Sequence, residues 1–221
     1  MINILTKLEK FLVKDNSECQ FDLQYPRHLL ILPGLGGYVG RLFPLVRYLR
    51  KGQSNYGVTA IPLGLNSASL SVIITNAIKN IEENLFQKNK PEKIIFLGHS
   101  FGGRVACMLV NELKNKYPEI IYEVVTLGSP VGPLRIGYLP WYKEMLFSCF
   151  SNAYKDGDLI IQPESEINKY IGYYSIDDKL VYPEFAKNEH KGTLKELKGF
   201  SHNDLISPKK IGAEILSLLV R

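Results

Sequence analysis

The chain is short of cysteine, has a single tryptophan, and carries no apolar run long enough to span a bilayer. Its three cysteines, Cys19, Cys107 and Cys149, cannot all pair with one another, and their spacing fits no metal site. A disulfide-stapled fold is thereby excluded, and a reducing compartment is expected. The opening residues MINILTKLEKFLVKD break any apolar stretch with Lys7, Glu9 and Lys10, so they do not read as a secretory signal. A cytoplasmic location is the expectation. Charge of one sign is not concentrated either. The net charge is +5, and lysines such as Lys79, Lys88, Lys90 and Lys93 are scattered, which argues against a nucleic-acid footprint. Weak contact with an anionic lipid surface stays open. Internal repeats and low-complexity tracts are missing.

What the 221 residues do hold is 45% apolar side chains in a regular rhythm, enough for one core, and residues 1–221 read as a single domain. Ile4, Leu5, Leu8, Phe11 and Leu12 share one face of an N-terminal amphipathic helix within residues 1–15, placed to pack on the domain or to touch a membrane. From Leu29 onward, short apolar runs alternate with helical patterns. The runs are Leu29–Leu32, Val58–Ile61, Ile94–Leu97, Val124–Leu127, Ile171–Tyr174 and, more weakly, Leu194–Leu197. Helical spacing links Leu70 to Leu85, Val105 to Leu113 and Ile211 to Leu219. Strand then helix, repeated, predicts an α/β fold: a three-layer α/β/α sandwich on a mostly parallel sheet. One interval breaks the rhythm. Residues 130–168 show no clear strand, contain Pro133, Pro140, Trp141 and Pro163, and read as an insertion above the site, partly helical through Trp141–Phe150. Leu134, Ile136, Trp141 and Phe147 could line an acyl pocket or form a lid, or simply pack on the sheet.

Directly after the run Ile94–Leu97 stands Gly98-His99-Ser100-Phe101-Gly102, a G-x-S-x-G at a strand-to-helix junction. A serine hydroxyl is a poor nucleophile unless a tight turn exposes it beside a base. Composition alone yields this pattern about 0.09 times by chance in such a chain, so its position between a buried strand and a helix carries the weight. Ser100 is therefore the candidate nucleophile, and the N–H of Phe101, at the helix start, a candidate oxyanion donor. The loop Pro33-Gly34-Leu35-Gly36-Gly37, after the first strand, supplies the second donor, assigned to the N–H of Leu35. A dinucleotide loop is disfavoured because the third glycine position of G-x-G-x-x-G is Val39.

Of the four histidines, His28 leads into the first strand and His190 precedes the last one. His99 adjoins Ser100, but its side chain is expected to leave the turn in another direction. Only His202 follows the last strand and precedes the last helix, on the edge from which Ser100 projects, so it is the candidate general base. The acid that would steady it is Asp178, Asp177 or, less directly, Asp158.

The order Ser100, Asp, His202, with Gly-His-Ser-Phe-Gly-Gly at the turn, resembles the α/β-hydrolase superfamily over residues 28–220, most closely small lipases and esterases with a minimal sheet. In that family the acid often stands in D-x-x-V-x-P. Asp178-Lys179-Leu180-Val181-Tyr182-Pro183 fits, so the resemblance selects Asp178. It implies a serine esterase acting on small-molecule or lipid acyl esters without metal or organic cofactor. Thioester cleavage, acyl transfer to an alcohol and a non-catalytic binding protein on the same fold are the alternatives. Val124-Val125-Thr126-Leu127-Gly128-Ser129-Pro130 resembles the family's strand into the lid region. Pro33-Gly34 stands where many members have His-Gly, which loosens the subfamily assignment.

Overall fold

The computed structural model of the chain describes residues 17–34, 36, 38–53, 55–64, 69–130, 167–186 and 192–220. The N-terminal amphipathic segment, the insertion apart from its ends, and Leu35, Cys149, Asp158 and His190 lie outside the described residues.

Six strands form one sheet: β1 (Arg27–Leu32), β2 (Gly57–Ala60), β3 (Lys93–His99), β4 (Ile121–Leu127), β5 (Lys169–Ser175) and β6 (Thr193–Leu197). Each coincides with one of the six apolar runs, including the weak last one. Every neighbouring pair is parallel, in the order β2-β1-β3-β4-β5-β6. The helices between and after them are α1 (Phe43–Gly52), α2 (Leu70–Ile81), α3 (Phe101–Lys116), the short α4 (Pro183–Ala186) and α5 (Pro208–Leu219).

The inner strands are largely apolar because both faces are covered. Leu30, Leu32, Ile94, Phe96, Tyr122 and Val124 pack under α2 and α3. Their alternates Leu29, Ile31, Ile95, Leu97, Val125 and Leu127 pack under α1 and α5. Period-two alternation thus feeds two cores, giving the three layers expected. Trimming one of these side chains, Leu97 for example, to alanine costs about 2–5 kcal/mol.

Two elements differ from the sequence expectation. Helix α1 was not foreseen, although Pro44 sits in its first turn and Leu45, Val46 and Leu49 are buried at helical spacing. The helix expected to run to Leu85 gives up regular α geometry at Ile81 and continues as a wider turn through Glu82–Phe86. There the Asn84 amide donates to the Asn80 carbonyl at 3.0 Å, competing with the backbone ladder.

Topology fixes where a site can lie. After β1 the chain turns outward to β2; after β3 it turns the other way, to β4. The loops leaving β1 and β3 therefore diverge and open a crevice at the carboxyl ends of the strands. Register aligns those ends, with Leu32 beside Gly98, His99 beside Leu127, and Ser175 beside Leu197. The segments that follow β1, β3, β4, β5 and β6 all emerge along that one edge.

Candidate active site

Ser100 is the residue between β3 and α3. Its φ of 53° and ψ of −126° make it the one non-glycine residue with positive φ among those described. Such a conformation costs on the order of 1–3 kcal/mol and persists only where its surroundings impose it. Its N–H donates to the Leu127 carbonyl at 2.9 Å, so β4 holds the turn from one side. From the other side the backbone is too close for side chains. A Cβ on Gly102 would fall 2.5 Å from the carbonyl oxygens of Leu32 and Pro33, and one on Gly98 would fall 2.3 Å from the Gly103 Cα. Ser100 is half-buried at the crevice. The loop after β1 passes close by: a Cβ on Gly34 would lie 3.0 Å from that of Ser100. Phe101 opens α3 as expected, and its N–H lies in the first turn of that helix.

Asp178 and His202 come together from two other loops. His202 Nδ1 donates to Asp178 Oδ2 at 2.7 Å. The other carboxylate oxygen accepts from the N–H groups of Leu180 and Val181 at 2.8 and 3.0 Å. Burial pushes the Asp178 carboxyl up, but the hydrogen bond and charge of His202, with those two N–H groups, outweigh it and hold the acid below its ordinary value. An ionised carboxylate only accepts, so Nδ1 carries the imidazole proton and Nε2 is left as the acceptor. Asp178 is 2% exposed, which shields this pairing from water.

The loop carrying His202 is tied at several points. Ser201 N–H and Oγ both donate to Asp204 Oδ2 at 2.8 Å, and Lys210 closes on the same carboxylate at 2.9 Å. Asp204 is thus occupied away from the His202 ring. Asp177 accepts from the Gly199 N–H at 2.6 Å, and Ser175 Oγ donates to the Phe200 carbonyl at 2.6 Å. Of the two adjacent acids, one meets the imidazole and the other orders the loop that bears it. His28 is fully buried near the amino end of β1, far along the sheet from this edge.

Two neighbours were not picked out by sequence. His99, set aside above, packs its ring against that of His202, with centroids 4.5 Å apart and the planes tilted by 44°, and its Nε2 donates to the His202 carbonyl at 3.0 Å. Burial foremost, then the charge of His202, pushes His99 down to about 3, so it stays neutral. The second is Gly128, at φ 55°, where a Cβ would stand 2.5 Å from Leu205 Cδ1 and 3.0 Å from Asp178 Oδ2. The only sequence signals were that His99 adjoins Ser100 and that Gly128 ends a strand.

The parallel six-stranded sheet covered by helices on both faces is shared with known structures. The chain is similar to a lipase-esterase related protein from Clostridium acetobutylicum, with a TM-score of 0.62 and 17% identity over 90% of this chain and 96% of that one. An α/β-hydrolase enzyme from a metagenome of lagoon sediments at Mar Chica, Morocco, gives 0.61 and 19% over 88% and 89%. The chain has the α/β-hydrolase fold. Another structure with this fold, the RedJ thioesterase of the prodiginine biosynthetic pathway in Streptomyces coelicolor, gives 0.58 and 13% over 87% and 86%. Residues 65–140, about a third of the chain, match the family described as PGAP1-like alpha/beta domain; the matched stretch contains α2, β3, the serine turn, α3 and β4. No curated protein sequence matches the chain. Among the described residues, no helix is long and apolar enough to cross a membrane.

Proposed function

We propose that the chain is a serine hydrolase that cleaves carboxylic esters through an acyl-enzyme. Ser100 attacks the carbonyl carbon, and His202 Nε2 takes its proton. Asp178 keeps the imidazole in the tautomer that can accept and stabilises the cation that forms. The N–H groups of Phe101 and Leu35 receive the developing oxyanion. His202 then protonates the departing alkoxide, the ester C–O bond breaks, and water activated by the same imidazole releases the acid. This sequence calls on no metal or organic cofactor.

The observation that carries the proposal is the 2.7 Å bond from His202 Nδ1 to a buried, ionised Asp178, on the edge where Ser100 is held in a strained turn. Ion pairs are common in proteins. An acid that fixes a histidine tautomer on the sheet edge that also carries a strained serine supports a role in proton transfer. Thioesters are the second substrate class, since the same atoms serve and the RedJ thioesterase shares the fold. The test is labelling with a fluorophosphonate probe. The native chain should label at Ser100, Ser100→Ala should not label, and His202→Ala should label at least 100-fold more slowly. A folded native chain that stays unlabelled, with and without detergent, contradicts the proposal.

A further inference from the structure

Beside the His202 loop lies a pocket of about 340 Å³, wide open to solvent and lined by Arg41, Pro44, Asn203, Ile206, Ser207 and Pro208. Its size is at the lower end of small-molecule sites. Three of its lining residues are polar, Arg41 and Asn203 exposed and Ser207 half-buried, and their side chains have no hydrogen-bond or ion-pair partner among the described residues. Ser207 is the N-cap of α5 yet makes no capping bond with its hydroxyl. The nearest carboxylate in sequence, Asp204, is taken up by Ser201 and Lys210. Arg41 is close enough to the site for its charge to disfavour protonation of His99.

All three groups can donate hydrogen bonds, and one is a permanent cation. A guanidinium fork with a hydroxyl and an amide suits a planar or tetrahedral oxyanion. The position also says which half of a substrate would reach it. His202 must hand its proton to the leaving oxygen, so the alcohol half passes beside the His202 loop, and Asn203 is the next residue along that loop. We propose that this cavity receives a phosphate or carboxylate borne by the alcohol half of the ester, which makes the substrate an acyl ester of an anionic alcohol. Hydrolysis then adds water across the ester C–O bond and releases a carboxylic acid and the anionic alcohol, whose oxygen takes the proton from His202. The inference rests on the esterase reading above.

The test compares three esters that share an acyl chain and differ in the alcohol: 1-octanoylglycerol, 1-octanoylglycerol 3-phosphate and the octanoyl ester of glycerate, each below its micellar concentration. The native chain should prefer at least one anionic ester by kcat/KM. The ratio of anionic to neutral should fall about tenfold in Arg41→Ala and recover in part in Arg41→Lys. Arg41 is exposed, so its replacement should leave the fold intact, and Asn203→Ala provides a second variant that lowers the ratio. An Arg41-dependent preference for either anion supports the proposal and identifies the anion. In parallel, calorimetric titration with glycerol 3-phosphate and with glycerate reads the cavity without catalysis. Arg41-dependent binding of either anion without cleavage of any ester would uphold the cavity and sink the esterase reading. Cleavage at ratios indifferent to Arg41 and Asn203 would uphold the esterase and overturn the cavity.

Discussion

Replacing Asp178 by asparagine tests the tautomer argument directly, because the surroundings dictate how the amide must sit. Asp178 Oδ1 accepts from two backbone N–H groups, at 2.8 and 3.0 Å. An amide nitrogen there would face two donors, so the carbonyl oxygen keeps that place and the NH₂ group turns toward His202. Nδ1 then accepts instead of donating, and the imidazole proton moves to Nε2. A protonated Nε2 has no lone pair with which to take the Ser100 proton. The expected loss in kcat is on the order of 10⁴-fold, about 5 kcal/mol of barrier. Stability should drop by only about 1–3 kcal/mol, since the shape and two hydrogen bonds are kept and the third is reversed and loses its ionic character. The assay is ester turnover and the rate of fluorophosphonate labelling from pH 6 to 9, with a thermal melt to show that the variant is folded. Asp177→Asn is the control. It weakens one bond to the Gly199 N–H and should cost less than about tenfold. A folded Asp178→Asn within tenfold of native activity would refute the reasoning.

Three further outcomes are expected. His99 is held at about 3 when folded, against about 6.5 in an unfolded chain, so between those values the unfolded chain binds a proton that the folded one refuses. Stability is full above pH 6.5 and falls as pH drops; from pH 7 to 5 the loss from His99 is about 2 kcal/mol, and buried His28, also lowered by burial, adds to it with the same sign. Urea unfolding at the two pH values should show this, and the slope should shrink in His99→Gln; equal slopes would count against it. Gly128→Ala combines a positive φ with a Cβ that collides with Leu205 and crowds Asp178, so a loss of about 1–3 kcal/mol and a fall in activity are expected, to be read by thermal melting and ester turnover. Burial pushes the Cys107 thiol up to about 12, so iodoacetamide at pH 8 should leave it unmodified in the folded chain and modify it after denaturation, as peptide mass mapping would show.

The first five strands were legible because they are buried on both faces and therefore carry apolar runs. β6 shows the limit of that signal. Its Thr193-Leu194-Lys195-Glu196-Leu197 lies at an edge, and its burial is only partial, so the run is faint. Helix α1 shows another limit. It covers one face of the sheet with Phe43, Leu45, Val46 and Leu49, while Arg47, Arg50 and Lys51 break the apolar spacing. Two of those cations are spent on tertiary contacts that no local window contains. Arg50 donates to the carbonyls of Val58 and Ser17, and Arg47 pairs with Glu18.

The candidate site divides along the same line. The serine turn is a local object, since strand, tight turn and helix must all be encoded within a few residues, and Gly98 and Gly102 are needed wherever the chain crowds itself. The pairing of His202 with Asp178 spans loops 24 residues apart, but both loops follow strands of one parallel sheet, so the order of elements brings them to one edge. What stayed hidden depends on distances across the edge rather than along the chain. His99 meets the His202 carbonyl over 103 residues of sequence, and Gly128 matters because of what stands opposite it. Arg41 belongs to this second class. Its significance comes from meeting Asn203 and Ser207 across a cavity, and nothing in the spacing between positions 41 and 203 encodes that. Chemistry shared by a fold is thus carried by local turns that a sequence displays. On the proposed reading, the choice of substrate falls to long-range neighbours that only the folded chain assembles. An esterase of this design would therefore keep its turn chemistry when Arg41 is replaced, and change the alcohol it accepts.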